Sequence, residues 1–175
     1  MKEEIDLVIP WVDGADPSWR KQRKHYESED EKKNNTNSFY RDWGLMRYWF
    51  RGVERNLPWI HKIYFVTWGH TPPWLNGTHP KLSIVKHEDY IPSEFRPTFS
   101  TNPIELNQHR IKGLSEQFIY ANDDTFLLVD LNQTITLKMD SHVIAYACAL
   151  LQNPVQMGLG IYCGTISPVS IDIFH

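Results

Sequence analysis

Four short apolar runs set the frame of this chain: IDLVIPWV (residues 5–12), IHKIYFVT (60–67), KLSIVKH (81–87) and FIYA (118–121). Each is rich in the β-branched and aromatic residues that suit a strand, and turn-forming residues bound them. The segments between them have helical spacing or loop composition. That alternation predicts parallel strands joined by crossovers, hence an α/β fold with a mostly parallel sheet and flanking helices. Two of the runs lead straight into acids, the first into Asp13-Gly14 and the fourth into Asn122-Asp123-Asp124. In open α/β sheets ligands bind beyond the carboxyl ends of the strands, where these residues are expected.

Asp123 and Asp124 place two hard oxygen donors side by side, a pair that can bind Mg²⁺ or Mn²⁺ and through it phosphate oxygens. The same tripeptide is a common turn former, and both readings stand at this point. A second apolar run, FLLV (126–129), follows. At the first strand end, a ligand would meet the Asp13 side chain and the Gly14 backbone, and Trp11 offers either a stacking face or a core position. A helix is expected over residues 39–56, capped by Ser38 and ended by Pro58, with Phe39, Trp43, Met46, Phe50, Val53 and Leu57 on its apolar face. Arg47 and Arg51 lie four apart on it and can jointly clamp a phosphate, although arginines on such helices are more often solvated or ion-paired. A second helix is expected over residues 104–111 after Pro103. Glu105 and His109 would share its face, as a carboxylate orienting an imidazole general base or as an ordinary surface pair.

The 175-residue length predicts one domain, and 41% hydrophobic with 13% aromatic residues suits a folded one. A net charge of −3 supplies no global basic field for nucleic acid or membrane, so any anion site must be local. Residues 18–37 are so charged that a solvated helix and loop are expected there. His70, His79 and His87 lack paired metal-ligand spacing and are not read as zinc ligands. Cys148 and Cys163 make neither a disulfide scaffold nor a metal knuckle, which fits a reduced cytoplasmic setting. Neither a signal-peptide core nor an apolar run of the ~18–20 residues that span a bilayer is visible.

Longer motifs carry a resemblance. IDLVIPWVDG (5–14), RDWGLMRYWFR (41–51), LPWIHKIYFVT (57–67), PWLN (73–76), PTFS (97–100), IELNQHRI (104–111), GLS (113–115) and FIYANDD (118–124) resemble, in order, the conserved blocks of the Stealth proteins. These are bacterial capsular polysaccharide phosphotransferases related to the animal N-acetylglucosamine-1-phosphotransferase. The resemblance implies a Rossmann-like, glycosyltransferase-A-like sheet over residues 1–130. It also implies a transferase that moves a hexose-1-phosphate from a nucleotide-sugar, a UDP-sugar for instance, to a hydroxyl of an acceptor glycan in capsule or exopolysaccharide synthesis. By motif match, Asp123 and Asp124 are the metal candidates for Mg²⁺ or Mn²⁺. Glu105, His109 and Arg110 are the catalytic candidates, with His109 as base and Arg110 for phosphate. Pro10, Trp11, Val12, Asp13 and Gly14 would line the nucleotide, with Arg47 helping to hold phosphate. The expected place is the cytoplasm, or the inner face of the membrane.

The resemblance stops at about residue 130. Residues 131–175 form an atypical tail without a Lys, Arg, Asp or Glu from Ser141 to Ile171, and the family's later His- and Arg-bearing blocks are not found there. A truncated or frame-shifted coding sequence is therefore expected. Two other readings stay open. One is a non-catalytic carbohydrate-binding fragment stacking sugars on Trp11, Trp43, Trp68 and Trp74; the other is an ordinary glycosyltransferase, which would release a nucleoside diphosphate.

Overall fold

The computed structural model describes residues 4–28, 40, 42–127 and 162–165, the last four by their backbone. Its centre is a five-stranded sheet in the order β3-β2-β1-β4-β5. The strands are β1 Ile5–Trp11, β2 Ile63–Thr67, β3 Leu82–Lys86, β4 Gln117–Tyr120 and β5 Tyr162–Thr165. The first four run parallel, and β5 adds an antiparallel edge to β4. The order is that of Rossmann-like doubly wound sheets, as expected: the chain builds outward from β1 through β2 to β3, then returns to place β4 on the other side of β1.

A sheet covered on both faces needs strands that are apolar at nearly every position, and β1 is buried almost throughout. Ile5, Leu7, Ile9 and Trp11 face one side, where they pack with Met46, Trp49, Val53 and Leu57. Val8 faces the other, with Tyr64, Val66, Val85, Tyr90 and Ile111. The helices are α1 Pro17–Arg23, α2 Met46–Asn56, α3 His87–Tyr90 and α4 Thr101–Leu106. No described helix is long and apolar enough to cross a membrane.

Three expectations are corrected. The helix expected from residue 39 begins at Met46, because Gly44 has a φ of 70° that a right-handed helix cannot contain. Trp43 consequently leaves the apolar face and is 68% exposed, and the buried side of α2 is Met46, Trp49, Val53 and Asn56. Ser38 and Phe39 lie outside the described residues. The helix expected over residues 104–111 is instead α4, followed by a separate 3-10 turn, Gln108–Arg110. The break sits at Asn107, whose side-chain amide donates to the Pro103 carbonyl at 2.8 Å and so replaces the backbone amide that would continue the ladder. Lastly, the charged segment after residue 18 is not solvated throughout. Asp16 caps α1 by accepting the Trp19 amide at 2.7 Å, and Trp19 and Arg23 are buried.

Candidate active site

β1 and β4 are neighbours, so the residues that leave their carboxyl ends come together at the point where the strand order reverses. A cavity of about 400 Å³ opens there. Pro10, Trp11 and Val12 line it from the first strand, and Tyr120, Asn122 and Asp123 from the fourth. Trp19, Tyr40 and Phe99 add an aromatic side, with His87, Thr98, Thr101 and Ile104 completing the lining. Trp19 packs against Tyr40 at 5.0 Å with the rings tilted by 56° and meets the edge of Phe99 at 5.8 Å, and the Tyr40 hydroxyl donates to the Phe99 carbonyl at 3.1 Å. The Arg23 guanidinium lies 4.6 Å from the Tyr40 ring centre and pairs with Glu27 at 3.2 Å, which fixes the tyrosine from behind.

The acidic corner is a turn as well as a candidate ligand site, since Thr125 donates to the Asn122 carbonyl at 3.1 Å. Asp123 and Asp124 both present surface to solvent. Crowding by the cleft strips the Asp123 carboxyl of water, and this, with the charge of Asp124 and a smaller push from Asp42, drives its pKa up to about 6. The open surface of the residue and the crowding of its carboxyl pull against each other, so solvent screens the repulsion without removing it. Two carboxylates held in mutual repulsion fit a Mg²⁺ ion, which commonly takes one or two carboxylates and completes its shell with phosphate oxygens and water. No group of three or more His, Cys, Asp or Glu that could hold a metal exists among the described residues.

The other sequence-derived candidates divide. Asp13 and Gly14 form the turn just beyond the cavity: the Asp13 carboxylate accepts the Ala15 amide at 2.8 Å, and the Gly14 carbonyl accepts the Arg20 guanidinium at 2.7 Å. Gly14 is there for space. A Cβ at this position would stand 1.8 Å from the Tyr40 carbonyl oxygen and 2.7 Å from its Cβ. Gly14→Ala should therefore push Tyr40 out of the cavity wall and lower stability by about 1–3 kcal/mol, the usual range for overpacking. Chemical denaturation together with fluorescence of the Trp19–Tyr40 cluster would show both effects.

Glu105 reaches the cavity only through Tyr120, whose hydroxyl donates to it at 2.9 Å; burial, with the Glu105 charge second, pushes that phenol's proton affinity up. His109 and Arg110 are exposed on the 3-10 turn and outside the cavity lining, and no hydrogen bond joins Glu105 to His109 among the described residues. Arg47 stacks on Trp74 at 5.3 Å and Arg51 on Tyr48 at 5.6 Å, so they take separate rings and make no joint clamp. The four tryptophans of the carbohydrate-binding reading are likewise dispersed: Trp11 lines this cavity, Trp68 lines another, Trp74 sits under Arg47, and Trp43 is exposed.

Sequence reasoning missed Trp19, Tyr40, Tyr120 and His87 as site residues. For Trp19 a signal existed, because Asp16-Pro17 is a helix start that brings a lone tryptophan into the first turn.

Comparison with known proteins follows the same geography. The chain matches Stealth protein CR1, conserved region 1, over residues 3–31, and Stealth protein CR2, conserved region 2, over residues 39–143. Pro10, Trp11, Val12 and Trp19 belong to the first match and the rest of the cavity lining to the second, so the site lies where the two regions meet. A capsular polysaccharide phosphotransferase WcwK of Streptococcus pneumoniae is 56% identical over 128 residues, which cover 73% of this chain and 39% of the relative. The receptor polysaccharide phosphotransferase WefC of Streptococcus oralis is 48% identical over 134 residues, 75% of this chain and 40% of the relative. CpsJ of Streptococcus thermophilus, a capsular polysaccharide phosphotransferase, is 46% identical over 129 residues, 72% of this chain and 54% of the relative. The chain thus spans between two fifths and just over half the length of these relatives. With both conserved regions present in order, the chain belongs to the Stealth protein family.

Proposed function

We propose that this chain carries the donor side of a sugar-phosphate transferase site in capsule or exopolysaccharide synthesis. The substrate would be a nucleotide-sugar, with a UDP-sugar carrying a hexose-1-phosphate such as N-acetylglucosamine-1-phosphate as the reference donor. In that reaction an acceptor hydroxyl oxygen bonds to the phosphorus that bears the sugar, and the pyrophosphate bond to the nucleoside monophosphate breaks. The hydroxyl proton must leave as the new bond forms, and the diphosphate charge must be neutralised. One observation carries the reading: the loop after β1 and the Asp123 corner share one cavity at the switch point of the sheet. The names of the relatives support the phosphotransferase class.

Within this reading Trp11, Trp19, Tyr40 and Phe99 supply flat apolar faces for the base or the sugar. Asp123 and Asp124 would hold the divalent metal, whose charge would offset that of the diphosphate. Glu105 orients the Tyr120 hydroxyl from outside the cavity. His109 and Arg110 have no place in the donor cavity, and neither does Arg47. Calorimetric titration of UDP into the chain, with and without MgCl₂, tests the assignment. Metal-dependent binding that disappears in the Asp123→Asn plus Asp124→Asn double variant supports it. Glycan binding indifferent to metal, without nucleotide binding, would instead support the carbohydrate-binding reading.

A further inference from the structure

The turn that leaves β2 carries an imidazole to the loop that leaves β1. His70 Nε2 accepts the Asp13 backbone N–H at 2.8 Å, across 57 residues of sequence. A ring nitrogen that accepts carries no proton, so this contact assigns the His70 proton to Nδ1. Nδ1 is buried without a hydrogen-bond partner, and the nearest carboxylate oxygen, on Asp16, is 3.9 Å away, beyond bonding length. The ring cannot swing away freely. It meets Trp11 edge-on at 5.4 Å and 87°, packs against Trp68 at 5.6 Å, and its own carbonyl accepts the Thr67 hydroxyl. His70 therefore touches two parts of the donor side at once: the Trp11 ring that lines the cavity and the amide that sets the path of residues 13 and 14.

We infer that His70 is the positioning residue of the donor site, holding the loop after β1 in its ligand-binding form by accepting the Asp13 amide. The ligand in question is the nucleotide of the proposed function, and to that extent the inference rests on that reading. The contact is specific to the neutral ring. Protonation would place an N–H on Nε2 facing the N–H of Asp13, two donors without an acceptor, and the loop would lose its anchor. Burial lowers the proton affinity of His70; Asp16 and then Asp13, on the β1–α1 loop, oppose that, and His87 at the head of α3 is the neighbouring imidazole. Lowered affinity keeps the ring neutral, and the anchor made, at neutral pH and into mildly acidic solution.

The test uses the full chain, ¹⁵N-labelled, with wild type compared with His70→Gln and His70→Ala. A glutamine amide oxygen reaches about as far as Nε2, accepts a hydrogen bond and does not titrate. In ligand-free wild type the Asp13 and Gly14 amide signals should shift as pH falls from mildly alkaline to acidic. In His70→Gln they should hold their hydrogen-bonded positions throughout, which separates this titration from that of Asp123. At mildly alkaline pH with MgCl₂, His70→Gln should bind UDP near the wild-type affinity, and His70→Ala about tenfold more weakly, the effect of one hydrogen bond. An Asp13 amide that does not respond in wild type, or responds alike in His70→Gln, overturns the anchor, and both readings hold even if His70→Ala fails to fold. An anchor that behaves as expected with unchanged UDP affinity in His70→Ala overturns its link to the ligand. Wild type that binds no UDP strikes the proposed function and the ligand link together, while the amide titration, read without ligand, still decides the anchor.

Discussion

Asp123→Asn is expected to weaken magnesium-dependent UDP binding by about 10- to 100-fold while raising the melting temperature of the ligand-free chain above pH ~6. The two effects have one cause. Asp123 holds its proton up to about pH 6 in the folded chain, against 3.8 ordinarily, because the crowding of its carboxyl by the cleft and the charge of Asp124 disfavour its ionised form. Below the lower value both folded and unfolded chains are protonated and the group contributes nothing to stability. As pH rises between the two values the unfolded chain releases its proton first, stability falls, and the full penalty persists above pH 6. Asparagine keeps the shape, cannot ionise and removes the penalty, although solvent screening at this exposed residue keeps the gain small. In the wild type the same titration should make metal-dependent binding fade as pH drops through about 6. Melting curves across pH and a calorimetric titration check both halves. A variant that melts lower than wild type at neutral pH would mark Asp123 as a turn residue only, and one that keeps full metal-dependent affinity would remove it from the site.

The sheet was legible because its strands have to be apolar on both faces, a pattern local enough to survive in sequence. Thus β1, β3 and β4 fall within a residue or two of the apolar runs. The strand expected from residue 60 starts three residues later, because Ile60 packs into the core from an irregular turn and His61 turns back toward Asp6. The acid-bearing strand ends were also legible, and Trp11 and Asp123, which follow two neighbouring parallel strands, line one cavity. The other wall was not readable, because Tyr40 and Phe99, 59 positions apart, meet only through the tertiary fold. Helix-face arguments failed where one residue broke the period: Gly44 ahead of α2 and Asn107 after α4 each changed which side chains are neighbours. Arg47 shows a further limit. Spacing gave its row on the helix, and the partner on that row is the Trp74 ring. Of the expected tail, residues 131–175, only the edge strand β5 lies within the described residues.

Asp6→Ala should be among the most destabilising single changes in the chain, at about 3 kcal/mol, while leaving the cavity lining untouched. Asp6 sits on β1 with no exposed surface, at the end of the sheet opposite the Trp11–Asp123 cavity. One carboxylate oxygen meets His61 Nδ1 at 2.9 Å and the other accepts the Ser115 amide at 2.7 Å. His61 leads into β2 and Ser115 into β4, so this one side chain ties the entries of both flanking strands to the central one. Alanine deletes two charge-assisted hydrogen bonds and leaves the Ser115 amide without its acceptor in a partly buried place. Asparagine distinguishes the contributions. Its oxygen can still accept from Ser115, and its amide can donate to His61 in the tautomer that leaves Nδ1 free, so Asp6→Asn should lose only about 1 kcal/mol. Urea unfolding gives the comparison, with a lowered midpoint and an unchanged slope in both variants. Equal losses in the two would mean that the charge itself, rather than the Ser115 bond, holds the strand entries together. If Asp6→Ala lowered UDP affinity as far as it lowered stability, the two ends of the sheet would be coupled, which nothing in the separate packing of the Asp6 contacts and the cavity predicts.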